Sequence, residues 1–189
     1  MSKYLALAAV FIGIFFSSAI LADSPAGFWQ NPVIKGAGKM HPLPDSAFQP
    51  QKDVIYKAVF SLTKGELNKD KKQAANINDG LEALARAVNL FASAGVSPDH
   101  LKFVAIIHGG ATPIVLDNTH YKQEFGVDNP NLELIKQLEA QGVQIAVCGQ
   151  AVAGWNFEYS WVNPDVKIAL SAISSIIILQ QRGYALMPE

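Results

Sequence analysis

The sequence predicts an α/β domain in which a mainly parallel β-sheet is covered by helices on both faces. From residue 54 onward, stretches with strand character alternate regularly with helical stretches. The strand stretches are nearly continuous in apolar residues, which is typical of parallel strands buried on both faces. With 189 residues, half of them apolar and 16% charged, the chain has the size and composition of one packed domain.

Residues 1–22 have the features of a secretory signal peptide. Lys3 gives a positive start, the run from Tyr4 to Ala22 is apolar apart from two serines, and Asp23 begins a polar break. We expect cleavage after Ala22, a periplasmic or secreted location, and no membrane contact after cleavage. The alternative is an uncleaved anchor, because nineteen such residues could just span a bilayer.

Residues 23–53 predict an irregular N-terminal extension that precedes the α/β domain of residues 54–189. Five prolines and three glycines interrupt this segment, and neither strand nor helical periodicity holds in it. It is too apolar for a solvated linker. We expect it to be pinned to the domain or to a neighbouring subunit by Phe28, Trp29, Val33, Ile34 and Phe48.

The domain itself is predicted to contain five strands. The first is rich in β-branched and aromatic residues, the second is an apolar run, and the last is short. Their expected positions are residues 54–62, 101–107, 143–147, 166–170 and 184–187.

Helical periodicity and capping residues predict the helices between the strands. We expect helices over residues 76–94, ending at Gly95, and over 130–141, with Asn129 as N-cap and Gly142 after the end. A short helix is expected after Gly149. A last helix is expected from Ser171 or Ser174 to Arg182. Residues 63–73 are predicted as a polar loop, and the long segment before residue 130 as a loop that could serve as a lid.

The most distinctive residues follow the second and third strands. Ligands of open parallel sheets bind beyond the carboxyl ends of the strands, and His108 and Cys148 are predicted to lie there. Cys148, the single cysteine, precedes a predicted helix whose N-terminal dipole would stabilise a thiolate. His108 could tune that thiolate or accept its proton. The alternatives are a buried, inert thiol and a structural histidine.

The glycines beside these two residues are candidate binding positions. Gly109 and Gly110 could present backbone N–H groups to an anion, and Gly149 allows close approach to the sulfur. Gln150 lies in the same turn and completes the candidate binding set.

Other kinds of site have little support in the sequence. His120 could join Cys148 and His108 around a metal ion, but no ligand spacing supports this, so we expect neither a metal nor another cofactor. P-loop and G-x-S-x-G patterns are absent. A net charge of −1 gives no basic surface for nucleic acid. The aromatic residues Trp155, Phe157, Tyr159 and Trp161 are expected in the core or at a subunit interface.

Taken in order, the segments VIYKAVFSL, KFVAIIHGG, LEAQGVQIAVCGQ and LQQRGYALMPE resemble the DsrE/DsrF-like family over about residues 53–189. The resemblance implies a three-layer α/β/α sandwich with a five-stranded parallel sheet, and homo-oligomers that are commonly trimers or hexamers. Some members carry sulfur as a cysteine persulfide between donor and acceptor proteins, and Cys148 matches the position of their carrier cysteine. Those relays are cytoplasmic, whereas this chain carries an export signal.

Two functional hypotheses result. In the first, Cys148 is a nucleophilic thiolate that accepts sulfane sulfur, tuned by His108. In the second, the protein is a non-catalytic oligomeric binding module, with an inert buried cysteine and a groove lined by Trp155 and Trp161.

Overall fold

Five strands, all parallel, form the central sheet within the part of the chain that the computed structural model describes, residues 27–65 and 73–188. Their order across the sheet is β4-β3-β2-β1-β5. They are β1 (Tyr56–Leu62), β2 (Leu101–Ile107), β3 (Gln144–Cys148), β4 (Lys167–Ala169) and β5 (Ala185–Pro188). The predicted five-stranded parallel sheet is therefore confirmed, and the bounds of β2 are those expected from its apolar run.

Five α-helices connect or flank these strands in the same described segments. They are α1 (Asp79–Ser93), α2 (Asn118–Phe125), α3 (Leu132–Ala140), α4 (Gly149–Gly154) and α5 (Ala172–Gln181). Short 3₁₀ helices lie at Gln73–Ala75, Pro98–His100, Gly109–Val115 and Tyr159–Trp161. None of the described helices has both the length and the apolar character needed to cross a bilayer. Residues 1–22, predicted as a signal peptide, lie outside the described part of the chain.

Capping side chains set where the longer helices begin. The side-chain oxygen of Asn78 accepts hydrogen bonds from the N–H groups of Gly80 and Leu81 at the start of α1. At the start of α5, Ser171 accepts from the N–H of Ser174 at 3.0 Å, which selects between the two predicted caps.

The two faces of the sheet are covered unequally. A large cluster, with α1 and α3, packs on one face and contains Phe103, Ala105, Ile107 and Val147. The other face carries α5 and a small cluster: Val59, Val104, Ile106, Ala146, Cys148 and Ala172. The molecule is thus the expected three-layer α/β/α sandwich, with Cys148 on the more thinly covered face, which we call the α5 face.

The segment from residue 108 to residue 129 is not the open loop that the sequence predicted. It forms the Gly109–Val115 3₁₀ helix and then α2, with Tyr121 fully buried. Asn129 does not cap α3, whose N-cap is Asn131. Instead its side-chain amide donates to the carbonyls of Ile114 and Leu116 and ties this segment down.

The N-terminal extension is pinned to α1, although not by all the residues expected. Ile34 is fully buried, whereas Phe28, Trp29 and Phe48 are exposed, so these three aromatic residues do not pin the extension to the domain, and their contact with a neighbouring subunit stays a prediction. The polar contacts come from the fully buried Asn89, which bonds to backbone groups of residues 33–38. The reason is that a Pro- and Gly-rich segment leaves backbone groups unpaired, and one buried amide satisfies several of them.

Candidate functional site

The carboxyl ends of β1, β2 and β3 bring the candidate residues to one edge of the sheet. β2 pairs with β3 in a register that places Ile107 opposite Val147. His108 and Cys148 are the next residue of each strand, so their backbones are neighbours across a strand spacing of about 5 Å. We call this region, comprising Ser61, His108 and Cys148, the carboxyl-edge site.

Cys148 is the last residue of β3 rather than the first residue after it, and it is also the N-cap of α4. Its residue surface is only 6% exposed. The thiol packs with apolar neighbours of the α5 face, among them Ile106 and Ala172. Among the described residues it is a free, buried thiol. It therefore has the position predicted for a reactive cysteine and the burial typical of a packed one.

The side chain of His108 lies on the same face of the sheet as Cys148. His108 continues β2 in an extended conformation, with φ −158° and ψ −178°, so the alternation of side chains along the strand carries on to it. Ile107 packs in the large cluster on the opposite face, which places His108 on the α5 face. The half-buried ring confirms this, because Nε2 lies 2.9 Å from the hydroxyl oxygen of Ser61 on β1.

Ser61 is the residue of this site that sequence reasoning missed. It occupies a strand position between apolar residues, in VFSL, where an exposed or edge position would explain a polar side chain equally well. Its burial is intermediate, and its neighbour Val59, two residues earlier, packs on the α5 face. The alternation of side chains along β1 could have placed Ser61 on the same face as Val59. Its pairing with His108 could not be predicted, because it depends on the register between β1 and β2.

Gly109 and Gly110 have a structural role that the sequence did not indicate. Gly109 has φ +57°, a backbone conformation that favours glycine. A Cβ on Gly110 would lie 2.7 Å from the carbonyl oxygen of Gly65, and a Cβ on Gly65 would collide with the backbone of Gly110. The turn after β2 is thus pressed against the loop after β1, and Ala111 N–H donates to the Thr63 carbonyl at 3.1 Å. This packing fixes the backbone on which His108 is held.

Gly149 and Gln150 connect Cys148 to the neighbouring strand β4. A Cβ on the buried Gly149 would lie 3.0 Å from the Ala169 carbonyl oxygen, so a glycine is needed for α4 to start this close to β4. The exposed Gln150 donates from its amide to the Leu170 carbonyl at 3.3 Å, and the Tyr159 hydroxyl donates to the Gly149 carbonyl at the same distance. These contacts fix the first turn after the thiol.

His120 forms a separate pair with Asp117 at the start of α2. Its Nδ1 lies 2.8 Å from a carboxylate oxygen of Asp117, and its ring stacks on Trp161 with centroids 4.7 Å apart. Burial acts to raise the pKa of the Asp117 carboxyl, but hydrogen bonds from the backbone and ring of His120 outweigh it and lower that pKa.

The idea of a metal site formed by His120, His108 and Cys148 gains nothing from this geometry. No group of three or more His, Cys, Asp or Glu side chains within residues 27–65 and 73–188 is arranged to hold a metal ion.

The aromatic residues after Cys148 belong mainly to the core. Trp155 and Trp161 are partly buried against the large cluster, and Trp155 stacks on Phe157 with centroids 5.6 Å apart. The indole N–H of Trp155 donates to the Gly109 carbonyl at 2.9 Å. Trp155 therefore supports the turn next to His108, in keeping with the expected core role. Tyr159 differs, since it is half exposed.

Chemically, the carboxyl-edge site combines one thiol with one imidazole and one hydroxyl. The 3₁₀ helix Gly109–Val115 and α4 contribute no charged residue to it, and neither do the first residues of α5. A thiol can attack as a sulfur nucleophile and an imidazole can move one proton, and in this structure Nε2 of His108 is engaged by Ser61 on β1.

Comparison with known proteins gives one family match. A sequence model of the DsrE/DsrF-like family matches residues 70–188. No curated protein matches the chain. A solved protein of unknown function from Methanobacterium thermoautotrophicum is similar in structure, with a TM-score of 0.49 and 15% identity, over 71% of this chain and 99% of that one.

Proposed function

The chain belongs to the DsrE/DsrF-like family, and on that basis we propose that it handles sulfur through Cys148. This family is associated with sulfur relay. The observation that carries the proposal is the position of the single cysteine, at the carboxyl edge of a parallel sheet and next in register to a histidine. Ligands and chemistry of such sheets concentrate at this edge.

The chemistry is a transfer of sulfane sulfur to the Cys148 thiolate. The thiolate attacks the outer sulfur of a persulfide or polysulfide donor, a new S–S bond forms on Cys148, and the S–S bond of the donor breaks. The leaving group, which is a thiolate from a persulfide or polysulfide and sulfite from thiosulfate, departs with the electron pair of that bond and takes up the proton released from Cys148. His108 can carry the proton between them, and no external oxidant or reductant is needed.

The burial of Cys148 favours a small sulfur donor. With 6% of the residue exposed, the thiol offers little surface to a folded partner protein, whereas a hydropolysulfide chain or thiosulfate is narrow. Transfer to or from a donor or acceptor protein would then need that protein to present its sulfur on an extended segment.

The test is intact mass spectrometry of the protein after incubation with polysulfide or thiosulfate. We expect the wild-type protein to gain one or more sulfur atoms that dithiothreitol removes. Cys148→Ser should gain none, and since the chain has one cysteine, this variant is a complete control. If the wild-type protein gains no sulfur from either donor, sulfur carrying is refuted.

The second candidate is a non-catalytic oligomeric binding module with an inert cysteine. The apolar packing of Cys148 on the α5 face is the observation that favours it. The rate of thiol labelling separates the two candidates. Slow labelling of the folded protein, followed by fast labelling once urea unfolds it, would favour the binding module.

We also propose that the protein is a homo-oligomer, a trimer or hexamer, held together through the α5 face. Large apolar side chains are exposed on this side of the molecule, in the residue after β4, on α5 and on β5: Leu170, Ile173, Ile177, Ile178 and Leu186. The stretch from residue 168 to residue 181 has no charged residue, so a second copy of the same surface is a suitable partner.

Analytical ultracentrifugation of Ile173→Glu tests this assembly. Ile173 is 75% exposed, so the variant should fold and sediment as a smaller species. Phe48→Glu is the matched control, because this fully exposed apolar residue lies on the N-terminal extension. An unchanged sedimentation coefficient for Ile173→Glu would refute an interface on this face.

Export of the protein is proposed from the N-terminal sequence alone. Mass spectrometry of the protein recovered from a bacterial periplasm should give a chain that begins at Asp23. A chain that retains residues 1–22 and sediments with membranes would support the anchor instead.

A further inference from the structure

We propose that the exposed apolar side chains of the N-terminal extension form a surface that binds a lipid bilayer. These side chains lie in the described part of the extension: Phe28, Trp29, Leu43 and Phe48. The role is separate from the proposed chemistry of Cys148. It departs from the expectation that the cleaved protein has no membrane contact, because the sequence does not show that these side chains face solvent.

The aromatic residues at the start of the extension are gathered in one place. An antiparallel bridge between Gln30 and Met40, with N–H···O distances of 2.8 and 3.0 Å, brings the residues on either side of it together. The His41 ring stacks on Phe28 with centroids 4.0 Å apart, and its centroid lies 6.1 Å from that of Trp29. The Nδ1 atom of His41 also lies 2.7 Å from the Phe28 carbonyl oxygen, so this aromatic group is held in place.

A groove between the extension and α1 continues this group. It has a volume of about 630 Å³, and His41, Leu43 and Phe48 line it together with Leu90 of α1. No Asp, Glu, Lys or Arg is among the described residues that line it. The apolar residues of the extension therefore form one continuous surface, which we call the extension patch: Phe28, Trp29, His41, Leu43 and Phe48.

Phe48 has a backbone conformation and an exposure that are both unusual for its type. Its φ is +57°, in the left-handed region that bulky residues rarely adopt, and its side chain is fully exposed. The loop that carries it is closed by a hydrogen bond from Gln49 Nε2 to the Ser46 hydroxyl at 2.7 Å. The described structure thus holds this ring in solvent without any packing in return, which is explained if the ring packs against something outside the molecule.

The position of the extension in the chain indicates a bilayer as that partner. The apolar run from Tyr4 to Ala22 precedes it, and residues 23–27 can bridge at most about 20 Å between Ala22 and Phe28. Whenever that run lies in a bilayer, before cleavage or as an anchor, Phe28 stays within this distance of the end of the run. Trp and Phe are the side chains that favour the boundary between lipid and water, so the extension patch has suitable chemistry for the surface beside it.

The charges of the extension indicate how it would bind. Residues 23–53 contain three lysines and three aspartates, so no net charge attracts them to anionic lipids. Binding should therefore come from burial of the rings, should occur on uncharged phosphatidylcholine, and should not weaken in high salt. A second copy of the chain is the alternative partner, although the α5 face is the surface proposed for contact between copies.

Co-sedimentation with phosphatidylcholine vesicles tests the proposal on the chain that begins at Asp23. This chain contains every described strand and helix, and circular dichroism checks that it folds. We expect binding that is equal at low and high salt. Phe48→Ala should lower the partition coefficient about tenfold, the loss expected for one aromatic ring, and Phe48→Trp should restore it. Ile168→Ala, on a half-exposed apolar residue of β4, should leave binding unchanged.

Fluorescence quenching by brominated phosphatidylcholine locates the contact. Trp29 is one of three tryptophans, and the other two, Trp155 and Trp161, are partly buried against the large cluster. Brominated vesicles should quench the wild-type protein. Trp29→Phe should still bind but should not be quenched, because the ring at the lipid surface no longer fluoresces.

Several results would overturn the proposal. These are no binding by the wild-type chain, binding that requires phosphatidylglycerol or is lost in high salt, and quenching that persists in Trp29→Phe. A smaller sedimentation coefficient of Phe48→Ala without vesicles would assign the extension patch to a contact between subunits instead. If Phe48→Ala fails to fold, the quenching of Trp29→Phe still decides.

Discussion

Replacement of Asn89 by alanine should destabilise the whole domain through the N-terminal extension. The Asn89 carboxamide oxygen accepts from the N–H groups of Val33 and Ile34, at 3.0 and 2.9 Å, and its NH₂ group donates to the carbonyls of Ile34, Ala37 and Gly38. Alanine leaves two backbone N–H groups without this partner beside a residue that is fully buried. Each such group costs about 1–3 kcal/mol, so we expect the free energy of unfolding to fall by about 2–6 kcal/mol.

Urea unfolding followed by far-UV circular dichroism measures this loss for Asn89→Ala. Asn89→Asp is the intermediate variant, because it keeps the acceptor for Val33 and Ile34 but loses the donor to the three carbonyls. Leu90→Ala, on the exposed neighbouring position, is the control for a general effect on α1. If Asn89→Ala unfolds within about 0.5 kcal/mol of the wild-type protein, the extension contributes nothing to domain stability and its hydrogen bonds have been overvalued.

Two further changes test the packing around the site. Burial raises the pKa of the Tyr121 phenol to about 12, so this group contributes stability that is present below pH 10 and is lost as pH rises through 12. Urea midpoints should fall over that interval by an amount equivalent to about 2–3 kcal/mol, and Tyr121→Phe should lack this dependence. Gly110→Ala should lower the unfolding free energy by about 1–3 kcal/mol, since its methyl group would press on the Gly65 carbonyl. Gly154→Ala is the control and should be nearly neutral, because a Cβ there meets no atom within 4 Å. Equal urea midpoints for the two alanine variants would show that the loops after β1 and β2 separate freely.

The strands and most helices could be predicted because their signals are local. The apolar run of β2, Gly95 after α1 and Ser171 before α5 are read directly from neighbouring residues, whereas the start of α1 was expected at residue 76 and lies after Asn78. The segment from residue 109 to residue 125 could not be predicted in this way. Its 3₁₀ helix contains Pro113, and α2 has the polar sequence NTHYKQEF, so neither shows an amphipathic pattern of useful length.

The part of the candidate site that depends only on where strands end could be predicted from the sequence. The rule that ligands lie at carboxyl ends of parallel strands identified His108 and Cys148. Ser61 and Gly65 were not identified, because their partners lie more than forty residues away and depend on strand register. The same limit explains why Phe28 and Phe48 were expected to pin the extension: hydrophobicity alone does not reveal that a buried amide on α1 already holds the backbone.

The burial of Cys148 bears on the combination of a free thiol with the proposed export. In an oxidising compartment, the location proposed for this protein, an exposed thiol would form mixed disulfides with other proteins. A disulfide forms only when the two Cβ atoms come within about 4 Å of each other. Cys148 is 6% exposed and packs with Ile106 and Ala172, so a folded partner protein cannot bring its cysteine that close. A narrow polysulfide has no such backbone to accommodate. Under the proposed function, this packing selects small sulfur donors, and it predicts that glutathione disulfide will modify Cys148 far more slowly than polysulfide does.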